Sequence, residues 1–158
     1  MSYNLIEQRA VSCALTGHRK LGDDFHLSSL EEHVERLIEE GVVNFYCGMA
    51  QGFDLIAAEV VLKAKKNHPK VKLFACVPCP DQEKYFSLED KNRYAAILNG
   101  CDVIERISDY YYKGCMLARD RFMVDNCSHV LAYLDKSVGG TAYTVRYAVS
   151  KVRNIRFM

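Results

Sequence analysis

The chain has 158 residues, 49% of them apolar and 26% charged, with a formal net charge of +1. That profile excludes a disordered or fibrous chain and suits one globular domain over 1–158, with a core large enough to need neither disulfides nor a metal. No apolar run approaches the ~20 residues of a membrane span. The opening MSYNLIEQRA lacks the basic-then-apolar order of a signal peptide, and near-neutral charge gives no argument for tight binding to nucleic acid or membrane, with a local basic patch left open.

Strand-like and helix-like segments alternate along the chain. VSCAL (11–15) is a short apolar run closed by Thr16-Gly17. SSLEEHVERLIEEG (28–41) places Leu30, Val34, Leu37 and Ile38 at helical spacing, with Ser28 or Ser29 as cap and Gly41 as stop. VVNFYC (42–47) is a strand, 52–67 a helix rich in Ala, Leu and Val, and VKLFACV (71–77) a strand broken by Pro78 and Pro80. Next come a helix over 88–100, a weaker strand over 102–108, a helix over 115–127, a strand over 129–135 and a helix over 141–152. NIRFM offers a short final strand. The order predicts an α/β fold: a Rossmann-like open, mostly parallel sheet of five to six strands with helices on both faces. Ligands bind such sheets at the carboxyl ends of the strands, near the point where strand order reverses. Four loops are expected at that edge: TGHRK, CGMAQGFD, the YYYKGCM region and SVGGT.

Thr16, Gly17, His18 and Arg19 put a flexible turn and donor groups at the first strand end, a pattern that suits a phosphate or a solvated basic turn. Gly48, Gln51 and Gly52 lead into a helix whose free N–H groups favour an anion, and Asp54 in its first turn complements the dipole or caps the loop. Glu59 either reaches the cleft or is a solvated charge. These spacings match neither a dinucleotide fingerprint nor a P-loop, which counts against NAD-linked oxidation and P-loop ATP hydrolysis. CVPC (76–79) reads as structural thiols, because Cys76 lies within a strand rather than at a helix N-terminus. The seven cysteines read as reduced thiols of a cytoplasmic protein. Arg121 and Asp125 suggest a surface ion pair, whereas Arg119 and Met123 share one helix face that could cross the cleft. Three consecutive tyrosines, Tyr110 to Tyr112, cannot all face one way on an extended segment, so some are exposed to stack on a base, line a pocket or meet a partner. Gly139, Gly140, Thr141 and Thr144 open the last helix, where the backbone could approach a phosphate.

The blocks TGHRKLG, CGMAQGFDLIAAE, PCPDQEKYF…NRYAAIL, GCMLARDRFMVDNCSHVLAYLD and GGTAYTVRYA together resemble the YpsA-like branch of the SLOG superfamily. That superfamily also holds the DNA-processing protein DprA (Smf) and the Lonely Guy phosphoribohydrolases. The resemblance implies a Rossmann-like fold with a nucleotide-related ligand at the carboxyl edge. Gly48, Gly52 and Asp54 match the glycine-rich block of DprA. Arg119 and Met123 match the Arg-x-x-x-Met element of the Lonely Guy enzymes. Gly139 and Gly140 match their Gly-Gly-x-Gly-Thr-x-x-Glu loop, but the third glycine is missing, Thr141 comes early and no Glu follows. The missing acid is implicated in N-glycosidic cleavage, so Glu59 or Asp125 would have to replace it.

The expected function is cytoplasmic binding of a nucleotide or nucleotide-derived small molecule, as a sensor or regulatory module. No cofactor and no metal site are expected. The alternatives are a nucleotide N-glycosidase or phosphoribohydrolase, with Arg119 and Glu59 as catalytic candidates, and single-stranded DNA binding, which the net charge disfavours. No membrane partner is expected, and a homodimer is one option because superfamily members often associate.

Overall fold

Alternation along the strands sets the layers. Cys13 and Leu15, Phe45 and Cys47, Leu73 and Ala75, and Leu131 and Tyr133 belong to one buried cluster. Their neighbours Ala14, Tyr46, Cys76 and Val130 belong to a second, on the opposite face. A strand with both faces apolar must be covered on both sides. In this computed structural model, which describes residues 2–135 and 139–158, helices do so.

The elements are α1 (Ser2–Ala10), β1 (Ser12–Gly17), α2 (Leu27–Glu39), β2 (Asn44–Cys47), α3 (Phe53–Lys65), β3 (Lys72–Val77), a 3-10 turn (Gln82–Tyr85), α4 (Leu88–Gly100), β4 (Val103–Arg106), α5 (Cys115–Asp125), β5 (His129–Tyr133), α6 (Gly140–Ser150) and β6 (Asn154–Phe157). The described strands form one sheet in the order β4-β3-β2-β1-β5-β6, and every pairing is parallel. The fold is therefore the expected α/β, Rossmann-like one. Helices α2, α3 and α4 supply Leu30, Val61 and Ile97 to the larger cluster. Helices α5 and α6 supply Met123 and Ala148 to the smaller. Strand order reverses at β1, which pairs β2 on one side and β5 on the other.

Two local expectations are corrected and one helix is added. Helix α2 starts at Leu27 after His26, which makes no side-chain cap bond, so Ser28 and Ser29 lie inside the first turn rather than capping it. Helix α1 was not expected: its apolar Leu5 and Ile6 are exposed. It is held by polar ties instead, as the Ser12 hydroxyl donates to the Gln8 carbonyl (2.6 Å) and Arg9 Nε to the Asp125 carbonyl (2.9 Å). Arg121 and Asp125 do not pair. Arg121 donates to the Tyr143 hydroxyl (2.9 Å), and Asp125 accepts from the Tyr147 hydroxyl (2.7 Å), which fastens α5 to α6. Among the described residues no helix is long and apolar enough to cross a membrane.

Candidate functional site

A crevice of about 360 Å³ opens at the carboxyl end of β1, where strand order reverses. The end of β1 and the turn after it give Thr16, Gly17, His18 and Arg19. Ala50 and Asp54 come from the β2–α3 junction, and Met116, Arg119, Asp120 and Met123 from α5. Gly140 and Thr141 open α6 on the remaining side. Ser137 and Val138, the start of the expected SVGGT loop, lie outside the described residues.

The glycines fall into two groups. Three lie against protein. A β-carbon on Gly17 would collide with the Phe53 ring, one on Gly48 would sit 2.8 Å from the Arg119 guanidinium carbon, and one on Gly52 would strike the Arg19 carbonyl. Gly52 also has φ 78°, a left-handed geometry that side chains resist. These glycines let the β1 turn, the start of α3 and Arg119 converge. The convergence is fastened by a bond from the Phe53 N–H to the His18 carbonyl (3.1 Å). Among the described residues, no atom beyond the chain neighbours and the helix's own backbone lies within 4 Å of where a β-carbon on Gly139, with φ 100°, or on Gly140 would stand. The N-cap of α6, Gly139, carries no side chain, so among the described residues no N-cap side chain takes up the N–H groups of its first turn. Thr144 donates to the Gly140 carbonyl (2.9 Å) and is fully buried, so it braces the turn.

Arg119 is buried beneath this surface. Its Nη1 donates to the Gly48 carbonyl, and its Nε donates to Asp120 Oδ1 at 2.6 Å. Burial opposes its charge, but Asp120 and Asp54 outweigh that and hold its pKa above the ordinary value. Asp54 Oδ2 accepts the Ala50 N–H (3.1 Å). Burial pushes the Asp54 carboxyl up to about 7, with the Arg119 charge and the Ala50 bond working the other way. His18 Nε2 lies 2.9 Å from Asp135 Oδ1, linking the turns after β1 and β5. Arg19 reaches across to Met116, with Nη2 3.8 Å from the sulfur.

The family model for YpsA, described as the YspA SLOG family, matches residues 25–156. The chain belongs to the YspA SLOG family.

This YspA SLOG protein is 28% identical over 135 residues to UPF0398 protein BH1768 of Halalkalibacterium halodurans, spanning 84% of this chain and 71% of that one. It is 31% identical over 128 residues to the SPbeta prophage-derived protein YoqJ of Bacillus subtilis, spanning 73% of this chain and 75% of YoqJ. In three dimensions it is similar to DNA processing protein A (DprA) of Streptococcus pneumoniae, with a TM-score of 0.71 at 20% identity, covering 98% of this chain and 51% of that one. It is also similar to DprA of Helicobacter pylori, a structure described for its single-stranded DNA binding mode, with a TM-score of 0.67 at 20% identity, covering 98% of this chain and 67% of that one. The chain thus spans about half the length of the pneumococcal DprA. At this identity the likeness shows a shared fold.

Not every candidate faces the crevice. Gln51 turns outward and donates to Asp90 Oδ2 (3.0 Å) on α4. Glu59 lies five residues beyond Asp54, about 140° around the helix, and accepts two bonds from Arg93 (2.6 and 3.1 Å). The fold therefore does not bring Glu59 to the crevice, and Asp125 is bonded to α6. The carboxylate beside Arg119 is Asp120, which sequence reasoning missed, because adjacent residues on a helix do not ordinarily share a face. Cys76 is buried in β3, and burial drives its thiol well up, as suits a structural residue.

Asp54 gives the first prediction. Its folded pKa of about 7 lies above the model-peptide value of 3.8. The unfolded chain therefore loses this proton first as pH rises, and stability falls from the unfolded pKa up to the folded one, then levels off. Between pH 5.5 and 8.5 the loss is about 2 kcal/mol. Asp54→Asn removes the titration. Urea unfolding of wild type and variant at the two pH values should show the variant gaining that amount relative to wild type at the higher pH.

Proposed function

We propose that this chain binds a phosphate-bearing nucleotide or nucleotide-derived small molecule in the crevice, as a cytoplasmic sensor or regulatory module. The observation that carries the reading is the start of α6 at Gly139–Gly140, which no side chain among the described residues caps, open to the crevice and opposite the Arg19 guanidinium on the turn after β1. Helix N-termini attract anions through their unpaired N–H groups and dipole. Arg119 acts mainly from below: two of its donors are committed to Gly48 and Asp120, so it sets the floor rather than reaching out as a free clamp.

Gly140→Asp tests this. The new side chain enters open space, so the fold is retained, but it places a carboxylate where the phosphate would lie. Calorimetry with nucleoside monophosphates should show binding to wild type and at least a tenfold loss in the variant, with unchanged melting of the unliganded protein. Failure of wild type to bind any phosphate-bearing probe would sink the reading.

A second reading is favoured by Asp120. A carboxylate beside Arg119 in the crevice could stabilise positive charge at an anomeric carbon, the task of the acid missing after Gly140. If the chain is an N-glycosidase, the same nucleotide mixtures will release free base on chromatography, and Asp120→Asn will stop the release. Single-stranded DNA binding, known for the Helicobacter pylori DprA, would instead show as salt-dependent anisotropy with labelled oligonucleotides.

A further inference from the structure

Beside the crevice lies a second, larger cavity of about 630 Å³, between the segment after β3 and the segment after β4. We propose that it receives the base of the nucleotide held in the crevice, and that it prefers a base bearing an exocyclic amino group. The inference rests on the nucleotide reading above and adds to it where the base goes and which bases are favoured.

Three observations carry it. The first is continuity. Met116 lines both cavities. The Gly48 carbonyl is bonded from one side by Arg119, in the crevice, and from the other by Gln82 Nε2 (2.9 Å), which lines the second cavity. Gln82 is fixed in turn by the Tyr94 hydroxyl, which donates to its Oε1 at 3.1 Å. The two spaces thus adjoin along Met116 and the Gly48 carbonyl, and a ligand anchored on the crevice side has the second cavity next to it.

The second is exposed aromatic surface. Tyr85 is 88% exposed, and Tyr110 and Tyr111 are each 68% exposed, and all three line this cavity. The turn that carries the last two is held in shape, as the Ser108 hydroxyl donates to the Tyr110 carbonyl (2.6 Å) and accepts its N–H (3.2 Å). Large flat rings presented on a fixed turn are a stacking platform for another flat ring.

The third is charge. The crevice sets Arg19, Arg119 and the α6 N-terminus against Asp54 and Asp120, the latter paired with Arg119, whereas the second cavity presents Asp81 and Asp109 with no arginine among the described residues of its lining. Its one cation, Lys84, lies 5.4 Å from the centre of the Tyr85 ring and so is drawn toward that ring. Two carboxylates repel a phosphate and accept hydrogen bonds from an amino group. The division assigns phosphate to the crevice and the amino-bearing edge of a base to the tyrosine cavity.

The test compares AMP, GMP, CMP and UMP with ribose 5-phosphate by calorimetry, on wild type, Tyr85→Ala/Tyr110→Ala, Asp109→Asn and Gly140→Asp. Both tyrosines are exposed, so their replacement leaves the core intact. At least one amino-bearing nucleotide should bind wild type tenfold or more tightly than both UMP and ribose 5-phosphate. The double tyrosine variant should bring that nucleotide down to the ribose 5-phosphate value without changing ribose 5-phosphate itself. Asp109→Asn should narrow the gap to UMP. Equal binding of nucleotides and ribose 5-phosphate to wild type, or a tyrosine variant that leaves the nucleotide unchanged, overturns the inference. In those cases, loss of all binding in Gly140→Asp would keep the phosphate reading standing. Absence of binding by every probe overturns both.

Discussion

Gly52→Ala should destabilise the protein by about 3 kcal/mol or more and abolish the nucleotide binding proposed above. Two costs add. The φ of 78° costs a side chain roughly 1–2 kcal/mol. The new methyl would also meet the Arg19 carbonyl, a backbone atom rather than the end of a flexible chain. That carbonyl cannot retreat freely, since the adjacent His18 carbonyl is tied to the Phe53 N–H. Relief requires the β1 turn to part from the start of α3, which opens the crevice. Urea unfolding and nucleotide calorimetry on the same sample check both parts. A variant of wild-type stability would show that the two turns are not pressed together as described. Gly140→Ala is the control, for its β-carbon meets nothing.

Arg119→Met should cost about 3–5 kcal/mol at pH 8, the usual result of removing one partner from buried charges. Asp120 and Asp54 would lose their cation, and the Gly48 carbonyl one of its two donors. The cost should shrink at pH 5.5. Without Arg119 the Asp54 carboxyl rises further above about 7, and it is then neutral at the lower pH in variant and wild type alike. Arg119→Lys should fall between, because an ammonium keeps the charge but not the planar fork that serves Gly48 and Asp120 together. Denaturant titrations at both pH values decide it. An equal loss at the two would remove Asp54 from the account.

The regular elements were legible because their signal is periodic. Leu30, Val34 and Leu37 are spaced for one helix face and are all buried. The β strands betray themselves by apolar residues on both faces, as Cys13, Ala14 and Leu15 do. What escaped depends on the third dimension. Helix α1 is stabilised by bonds from Arg9 and Ser12 that no local pattern announces. Arg121 and Asp125 have ideal spacing for each other, yet hydroxyls from α6 take both. The same holds at the site. Glycine and charge at the strand ends pointed to an edge, but only the packing shows that Gly17, Gly48 and Gly52 accommodate protein atoms while Gly139 and Gly140 leave space. Asp120 has no sequence motif, and its importance comes from the turn of Arg119 toward Gly48.

The pairing of β1 with β5 joins Cys13 to His129, residues from opposite ends of the chain. Such distant contacts form late and slow folding, because a long loop must close before they bring any return. During synthesis the β1–β2–β3 half can assemble as it emerges, yet the crevice lacks a wall until α6 has been made and docked. A nucleotide bound as proposed would favour the joined halves over the open chain by mass action, so its effect would be read as a raised unfolding midpoint.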